Sequence, residues 1–298
     1  MSIRATPTSG AASFDDVATV NDIYGLIEKI GKQTFEVAAA KNPLSRFDKG
    51  FLERGAVLED TLVMAAKSRA HVPNSNSYTT PVKPELFKRY FNNWTKRDYD
   101  VSIYREDINA VLAGAQTVGD LANASLASLD VGESVDDYTD LKAVFTQFAS
   151  EFARDDQKIP APADLTELVE KIREVAKAMT FHNDTYAGLE GCETTTPVEK
   201  LVVVIPFNLM NKIDVRVYAA LKNLQKADIE PEIIEIDATD GKVYVLDEDA
   251  VQEWTKYREF YDNGNGNART RDYKLAVTKM FTYNPLYKMA VIDASALD

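Results

Sequence analysis

The chain has 298 residues, 45% of them hydrophobic, which is enough for a sizeable core. With 47 Asp and Glu against 34 Lys and Arg, its net charge of -13 argues against a broad phosphate-binding surface, because duplex binders place many cations on phosphates. A single cysteine, Cys192, excludes an internal disulfide, and the longest apolar run, "LVVVIPF" from Leu201, is too short to span a bilayer.

Residues 1–16, "MSIRATPTSGAASFDD", are small and polar, cannot bury enough surface to offset ordering, and carry no apolar run fit for a signal peptide. They read as a mobile arm of a protein expected to start life in the cytoplasm. From Val17 to Lys41, Val20, Ile23, Tyr24, Ile27 and Ile30 recur at helical spacing, interrupted by Gly25 and Gly31. A short helix leading into a loop is expected there.

Between Gly55 and Tyr104 two extended arms flank a polar, proline-bearing tip, "PNSNSYTTPVKP". In the second arm Tyr99, Val101 and Ile103 alternate with Asp100, Ser102 and Tyr104, the period of a strand with one polar face. Together the arms predict a two-stranded ribbon, which alone is marginal in water and needs a partner surface.

Helical text follows from Glu106. Val118, Leu121, Ala122, Leu126 and Leu129, then Val135, Tyr138, Leu141, Phe145, Phe148 and Phe152, predict one long helix, irregular at Gly132. Past the breaker "KIPAPAD", Asp164 is placed to cap a helix with Glu167 three residues on, and Leu165, Leu168, Ile172, Val175, Ala176 and Met179 form its apolar stripe.

The last third alternates types: strand "KLVVVIPF", helix "DVRVYAALKNLQ", strands "PEIIEID" and "GKVYVLD", then a helix from Asp247 through Phe260 with Asp247 as N-cap. After the turn "NGNGN", the segment "YKLAVTKMFTYNPLYKMAVID" reads as one long strand interrupted by Pro285. The chain is α+β without an internal repeat.

Catalytic and metal signatures are missing: there is no phosphate loop, dinucleotide fingerprint, HExxH or nucleophile elbow. His71, His182 and Cys192 are too few for a zinc site, and His182 in "TFHNDTY" has no orienting partner in view. The acidic run "DATDGKVYVLDED" lacks the ligand pattern of a calcium loop, and a turn followed by a helix cap accounts for its carboxylates. No enzyme activity, cofactor or metal is expected.

The stretch "LFKRYFNNWTKRDYDVSIY" stands out, with aromatics and cations crowded together in an acidic chain. A single-strand binder would stack bases on Phe87, Tyr90, Phe91 and Trp94 and pair phosphates with Lys88, Arg89, Lys96 and Arg97. No second basic segment extends such a groove, and the global charge repels phosphate. Aromatic and Arg side chains among polar ones is the composition of protein interfaces, so Phe87, Arg89, Tyr90, Phe91, Trp94, Lys96, Arg97 and Tyr99 are expected to lie between subunits.

Three phrases carry a resemblance: "NPLSRFDKGFLERGAVLEDTLVMAAK", "IREVAKAMTFHNDTYAGLEG" running into "TPVEKLVVVIPFNLMNKIDVRVYAALKN", and "KVYVLDEDAVQEWTKYREFYDNGNGNARTRDYKLAVTKMFTYNPLYKMAVI". In this order, from about Asn42 to Ile292, they resemble the major capsid protein of small, short-tailed, phi29-like bacteriophages. The resemblance implies the Hong-Kong-97-like (Johnson) capsid fold. Its segments would be an N-terminal arm (1–49), an extended loop (50–105), a peripheral domain with a spine helix (106–163), an axial domain (164–261) and a closing peripheral strand (262–298).

It further implies a shell protein that assembles with itself into pentamers and hexamers around double-stranded DNA, without sequence-specific contacts and without a membrane. A scaffolding protein and a portal would be assembly partners. An encapsulin-like compartment of the same fold holding a cargo enzyme is the alternative, and a single-strand binding module a weaker one. The returning arm at Phe87 to Trp94 and the linker "ARDDQKIPAPAD" depart from the family's pattern.

Overall fold

A computed structural model describes residues 42–53, 57–68, 82–104, 118–213, 231–238, 240–265 and 270–297. The helices expected at Val17–Lys41 and "DVRVYAALKNLQ", the ribbon tip and the start of the helical text at Glu106 lie outside the described residues. The chain divides into two compact units. One comprises 1–42, 96–137 and 257–278, the other 43–95, 138–256 and 279–298.

The second unit is built on a five-stranded sheet of β5 (Lys158–Ile159), β11 (Met289–Asp293), β8 (Lys242–Asp247), β6 (Leu201–Pro206) and β7 (Glu232–Ile236), in that order. β6 is buried at every residue, which is why its sequence is a continuous apolar run and not an alternating one. Its side chains go alternately to two cores. Val202 and Val204 join Tyr244, Leu246, Met289 and Val291 on one face, covered by Leu141, Val144, Phe145 and Phe148. Leu201, Val203 and Ile205 join Val243, Val245, Ala290 and Ile292 on the other, covered by α2 (Leu165–Met179) through Leu168, Ile172, Val175, Ala176 and Met179.

α2 starts as the sequence predicts. The Asp164 carboxylate accepts from Glu167 N at 2.8 Å, and the Glu167 carboxylate reaches back to Ala163 N. Past its other end Lys288, fully buried, donates from Nζ to Phe181 O at 2.8 Å, to Asn183 Oδ1 at 2.7 Å and to Met179 O at 3.4 Å.

The covering residues Leu141 to Phe145 belong to α1 (Val118–Gln147). This helix runs unbroken through Gly132, where the sequence predicts an irregularity. The irregularity falls instead at its end, in a π-turn over Phe148–Phe152 closed by Ala153 N on Phe148 O at 2.8 Å. Gly132 is accounted for by packing, since a Cβ there would sit 3.4 Å from the Tyr99 ring.

The other sheet has the order β1 (Asp48–Phe51), β9 (Val251–Asn265), β10 (Thr270–Tyr283), β4 (Thr95–Tyr104). β9 corrects the helix expected from Asp247. Val251, Trp254, Thr255, Tyr257 and Phe260 favour a pleated surface, and β1 supplies a parallel partner that pairs Asp48 with Glu253 and Phe51 with Thr255. Asp247 caps a turn, not a helix: its Oδ1 accepts from Asp249 N at 3.0 Å, and its carbonyl from Ala250 N at 2.9 Å. The long strand expected after the "NGNGN" turn is two strands in different sheets, β10 and β11, separated at Asn284 and Pro285.

In the first unit, residues 96–104 of β4, 257–265 of β9 and 270–278 of β10 accompany residues 118–137 of α1. Its core is small: Ile103, Leu129, Tyr273, Leu275 and Val277, with Tyr99, Val101 and Leu126 at the edge. Ion pairs supplement it, as Arg258 bonds Asp130 at 2.6 Å and Glu133 at 3.0 Å.

The remaining strands, β2 (Leu58–Val63) and β3 (Leu86–Phe91), form an antiparallel ribbon in which Leu58 faces Phe91 and Val63 faces Leu86. A ribbon forms as expected, but its return strand is Leu86–Phe91; the alternating residues Tyr99 to Tyr104, expected to form that strand, pair instead in the four-stranded sheet.

Two tests follow from buried charge. Lys279 and Glu253 pair at 2.9 Å with side chains only 11% and 3% exposed, so Lys279→Met breaks a buried ion pair and costs about 3–5 kcal/mol in urea unfolding. For Lys288, burial pushes the ammonium down to about 8 from 10.5, against the opposing charges of Asp184 and Asp247. Below the folded value both states are charged and the cost of burial is fully present. Between the two values only the unfolded chain holds the proton, so wild-type stability rises with pH across that window. Lys288→Met loses this rise, which unfolding curves of the two proteins between the two pH values measure.

Candidate interaction surface

Strand alternation sorts the aromatic and basic stretch that stands out in the sequence. On β3, Phe87, Arg89 and Phe91 share one face, while Leu86, Lys88 and Tyr90 share the other. On β2, Leu58, Asp60 and Leu62 lie with the first set and Glu59, Thr61 and Val63 with the second.

The first face packs on the chain's own body. Leu58 and Phe91 are 8% exposed and meet the fully buried Met280, with Leu52, Trp94 and Trp254 around them. Leu62, Met64 and Phe87 pack against Ala187, Cys192 and Leu286. Trp94 also carries Lys256 Nζ 4.8 Å from its ring centroid.

The second face is open. Tyr90 is 62% exposed, Val63 59% and Leu86 45%. Between these residues Lys88 Nζ meets Glu59 Oε1 at 2.7 Å, a contact that lowers the Glu59 pKa and raises that of Lys88. Such an exposed pair contributes little to stability.

Arg89 lies on the inward face but reaches solvent and has no hydrogen-bond or ion-pair partner among the described residues. It lines a cleft of about 550 Å³ with Lys88, Tyr90, Phe152, Phe281 and Tyr283. Burial pushes the Tyr283 phenol up to about 12, so it stays protonated and serves as a neutral hydrogen-bonding group.

Lys96, Arg97 and Tyr99 belong to the other unit. Lys96 is exposed. Arg97 and Tyr99 turn toward α1, where the Asp136 carboxylate accepts from Tyr99 Oη at 3.0 Å and pairs with Arg97 at 3.6 Å. Burial, followed by the hydrogen bond that Tyr99 donates to Asp136 and the charge of that carboxylate, raises the Tyr99 pKa. Of the eight residues expected between subunits, Phe87, Phe91, Trp94, Arg97 and Tyr99 therefore make contacts within their own chain, whereas Arg89, Tyr90 and Lys96 are exposed.

The groups weighed for chemistry are engaged structurally. His182 is exposed beside Thr195 and Glu193, and Cys192 is buried, its thiol pKa raised by that burial. In the acidic run Glu248 meets Arg46 at 2.9 Å and Lys49 at 3.4 Å, and Asp249 meets Lys49 at 2.7 Å and Lys200 at 2.6 Å. Val63 and Leu86 were missed by the sequence reading. Neither "LEDTLV" nor "LFKRYF" alternates cleanly between apolar and polar, so only the ribbon register shows which side is open.

A long helix, a sheet buried on both faces, a four-stranded sheet and a ribbon folded out of it make up the fold of tailed-phage capsid proteins. The capsid of Staphylococcus phage Andhra is similar over 89% of this chain and 87% of its own, with a TM-score of 0.72 and 13% sequence identity. The family itself is set by sequence: the chain belongs to the Phi29-like phage major capsid proteins, whose family model matches residues 6–292. The major capsid protein of Bacillus phage GA-1 is 24% identical over 97% of this chain and 64% of its own length, and that of Bacillus phage PZA 21% identical over 76% and 53%. The chain thus spans less than two thirds of the relatives it matches.

The two faces of the ribbon predict opposite phenotypes. Phe91→Ala removes a core ring and destabilises the isolated subunit by about 3–5 kcal/mol in thermal or urea unfolding. Tyr90→Ala leaves subunit stability within about 0.5 kcal/mol of wild type in the same measurement.

Proposed function

We propose that this chain is the building subunit of a phage head, a structural protein without a catalytic step that assembles with itself into pentamers and hexamers of a closed icosahedral shell. Membership in the capsid family over residues 6–292 is the observation that carries this reading. The ribbon adds a geometric reason: its outward face exposes Val63, Leu86 and Tyr90 in a row. Exposed apolar strand pairs of this kind gain about 25 cal/mol for each Å² covered by a neighbour.

On this reading residues 50–105 are the extended loop, and its outward face lies on a neighbouring copy, with the exposed Arg89 and Lys96 beside it. The cations suit an acidic neighbour, since every copy carries -13. The same acidity suits a container whose walls do not adhere to the double-stranded DNA inside. A scaffolding protein and a portal would complete assembly, and the mature protein would reside in the virion. Heterologous contacts that close into rings are the symmetry such shells use.

The test is size-exclusion chromatography of the expressed protein, followed by negative-stain microscopy of the earliest peak. Closed shells or capsomer-sized rings support the proposal, and their contents separate a DNA container from a compartment holding a protein cargo. The Tyr90→Ala, Arg89→Glu double variant should yield stable subunits and few or no particles. A wild-type chain that stays monomeric at high concentration, alone and with a scaffolding partner, overturns it.

A further inference from the structure

The inward face of the ribbon is apolar on both sides of one residue, Asp60, which sits between Leu58 and Leu62 on β2. A carboxylate placed against a body of apolar contacts is costly unless hydrogen bonds replace its water. Those bonds come from two side-chain amides. Asp60 Oδ2 accepts from Gln252 Nε2 at 3.4 Å and from Asn284 Nδ2. Asn284 is fully buried and Gln252 is 4% exposed.

Both amides are fixed by further bonds. Gln252 Nε2 also donates to Asp249 O at 2.9 Å, and its Oε1 accepts from Trp254 Nε1 at 3.0 Å. Asn284 Oδ1 accepts from Leu286 N at 3.1 Å, and its backbone N donates to Ala250 O at 2.8 Å. The amide oxygens are thus occupied, and what the pair presents to the ribbon is N–H donors. Such a socket accepts a carboxylate and rejects a donor. Arg89, directly across the ribbon from Asp60, forms no ion pair with it, so the amides hold the carboxylate and leave the guanidinium to the cleft.

The apolar contacts around Leu58 and Leu62 hold the ribbon down without fixing its direction, because burial is non-directional. Hydrogen bonds are directional. We propose that Asp60 is a positioning residue that sets the angle of the ribbon on its own subunit, its carboxylate seated in the preformed Gln252–Asn284 socket, so that the outward face meets a second copy in one orientation. What the ribbon is presented to rests on the shell-subunit reading; the latch is a property of the single chain.

The experiment compares wild type, Asp60→Ala and Asp60→Asn as full chains, by hydrogen–deuterium exchange of soluble subunits and microscopy of assembled material. In Asp60→Ala, amides of 58–63 and 86–91 should exchange about tenfold faster or more, as loss of a charged hydrogen bond implies, while β6 and β11 keep wild-type protection. Particles from this variant should be mixed in size. Asp60→Asn keeps one acceptor oxygen but brings a competing donor, and should fall between. Ribbon exchange equal to wild type overturns the proposal. So does an equal rise in β6 and β11, which would make Asp60 a general stabiliser. A monomeric wild type with a ribbon freed by Asp60→Ala removes the shell reading and keeps the latch; wild-type shells with an unaffected ribbon do the reverse.

Discussion

Burial of the five-stranded sheet on both faces is the constraint from which the rest of the second unit follows. Once Val202 and Val204 point to one core and Leu201, Val203 and Ile205 to the other, a slip of one residue would exchange the two sets of side chains, so register is fixed. The positions of the end of α1 and of α2 are then set by the apolar faces they must cover. The ends of the sheet strands are fixed as well. The turn after β8 delivers Gln252 and the turn before β11 delivers Asn284, which is how two residues far apart in the chain come to face Asp60 together. The direction of the ribbon is thus inherited from the most deeply buried element of the protein.

The charge distribution has a similar logic. In an acidic chain most carboxylates stay in water, and those near the fold's turns are matched by cations of the same unit: Arg46, Lys49 and Lys200 around Glu248 and Asp249, and Lys279 on Glu253. Exposed members of these networks contribute little energy each. They matter by occupying cations that would otherwise be available to phosphate. Arg89 is an exception, held beside an open cleft by a ribbon whose own carboxylate, Asp60, is bonded elsewhere.

Much of this fold was legible. The continuous apolar run of β6 and the capped stripe of α2 were read from local pattern alone, because the tertiary setting of each reinforces it. β9 was not. "VQEWTKYREF" permits a helix, and what decides for a strand is its place between β10 and β1, the latter a partner some two hundred residues distant. The π-turn at Phe148 and the division between β10 and β11 depend likewise on where neighbouring layers end. At the candidate surface the sequence reading treated eight residues as one face, and strand alternation divides them. The amide socket had no local signature, since Asp60, Gln252 and Asn284 are ordinary polar residues until folding brings them together.

On the shell-subunit reading the outward strands face two opposed demands. They must stay apolar enough to gain from coverage by a neighbour, yet an open ribbon invites pairing with any strand edge. The ribbon here meets both by what surrounds its apolar positions. Glu59 and Lys88 close a charge pair across the strands beside Tyr90, and Val63 and Leu86 sit at the far end of the same face. A partner must therefore match a charged step flanked by apolar ends, which a random strand edge does not. Burying Leu58 and Phe91 against the subunit's own body then keeps the more hydrophobic half of the ribbon out of the competition altogether.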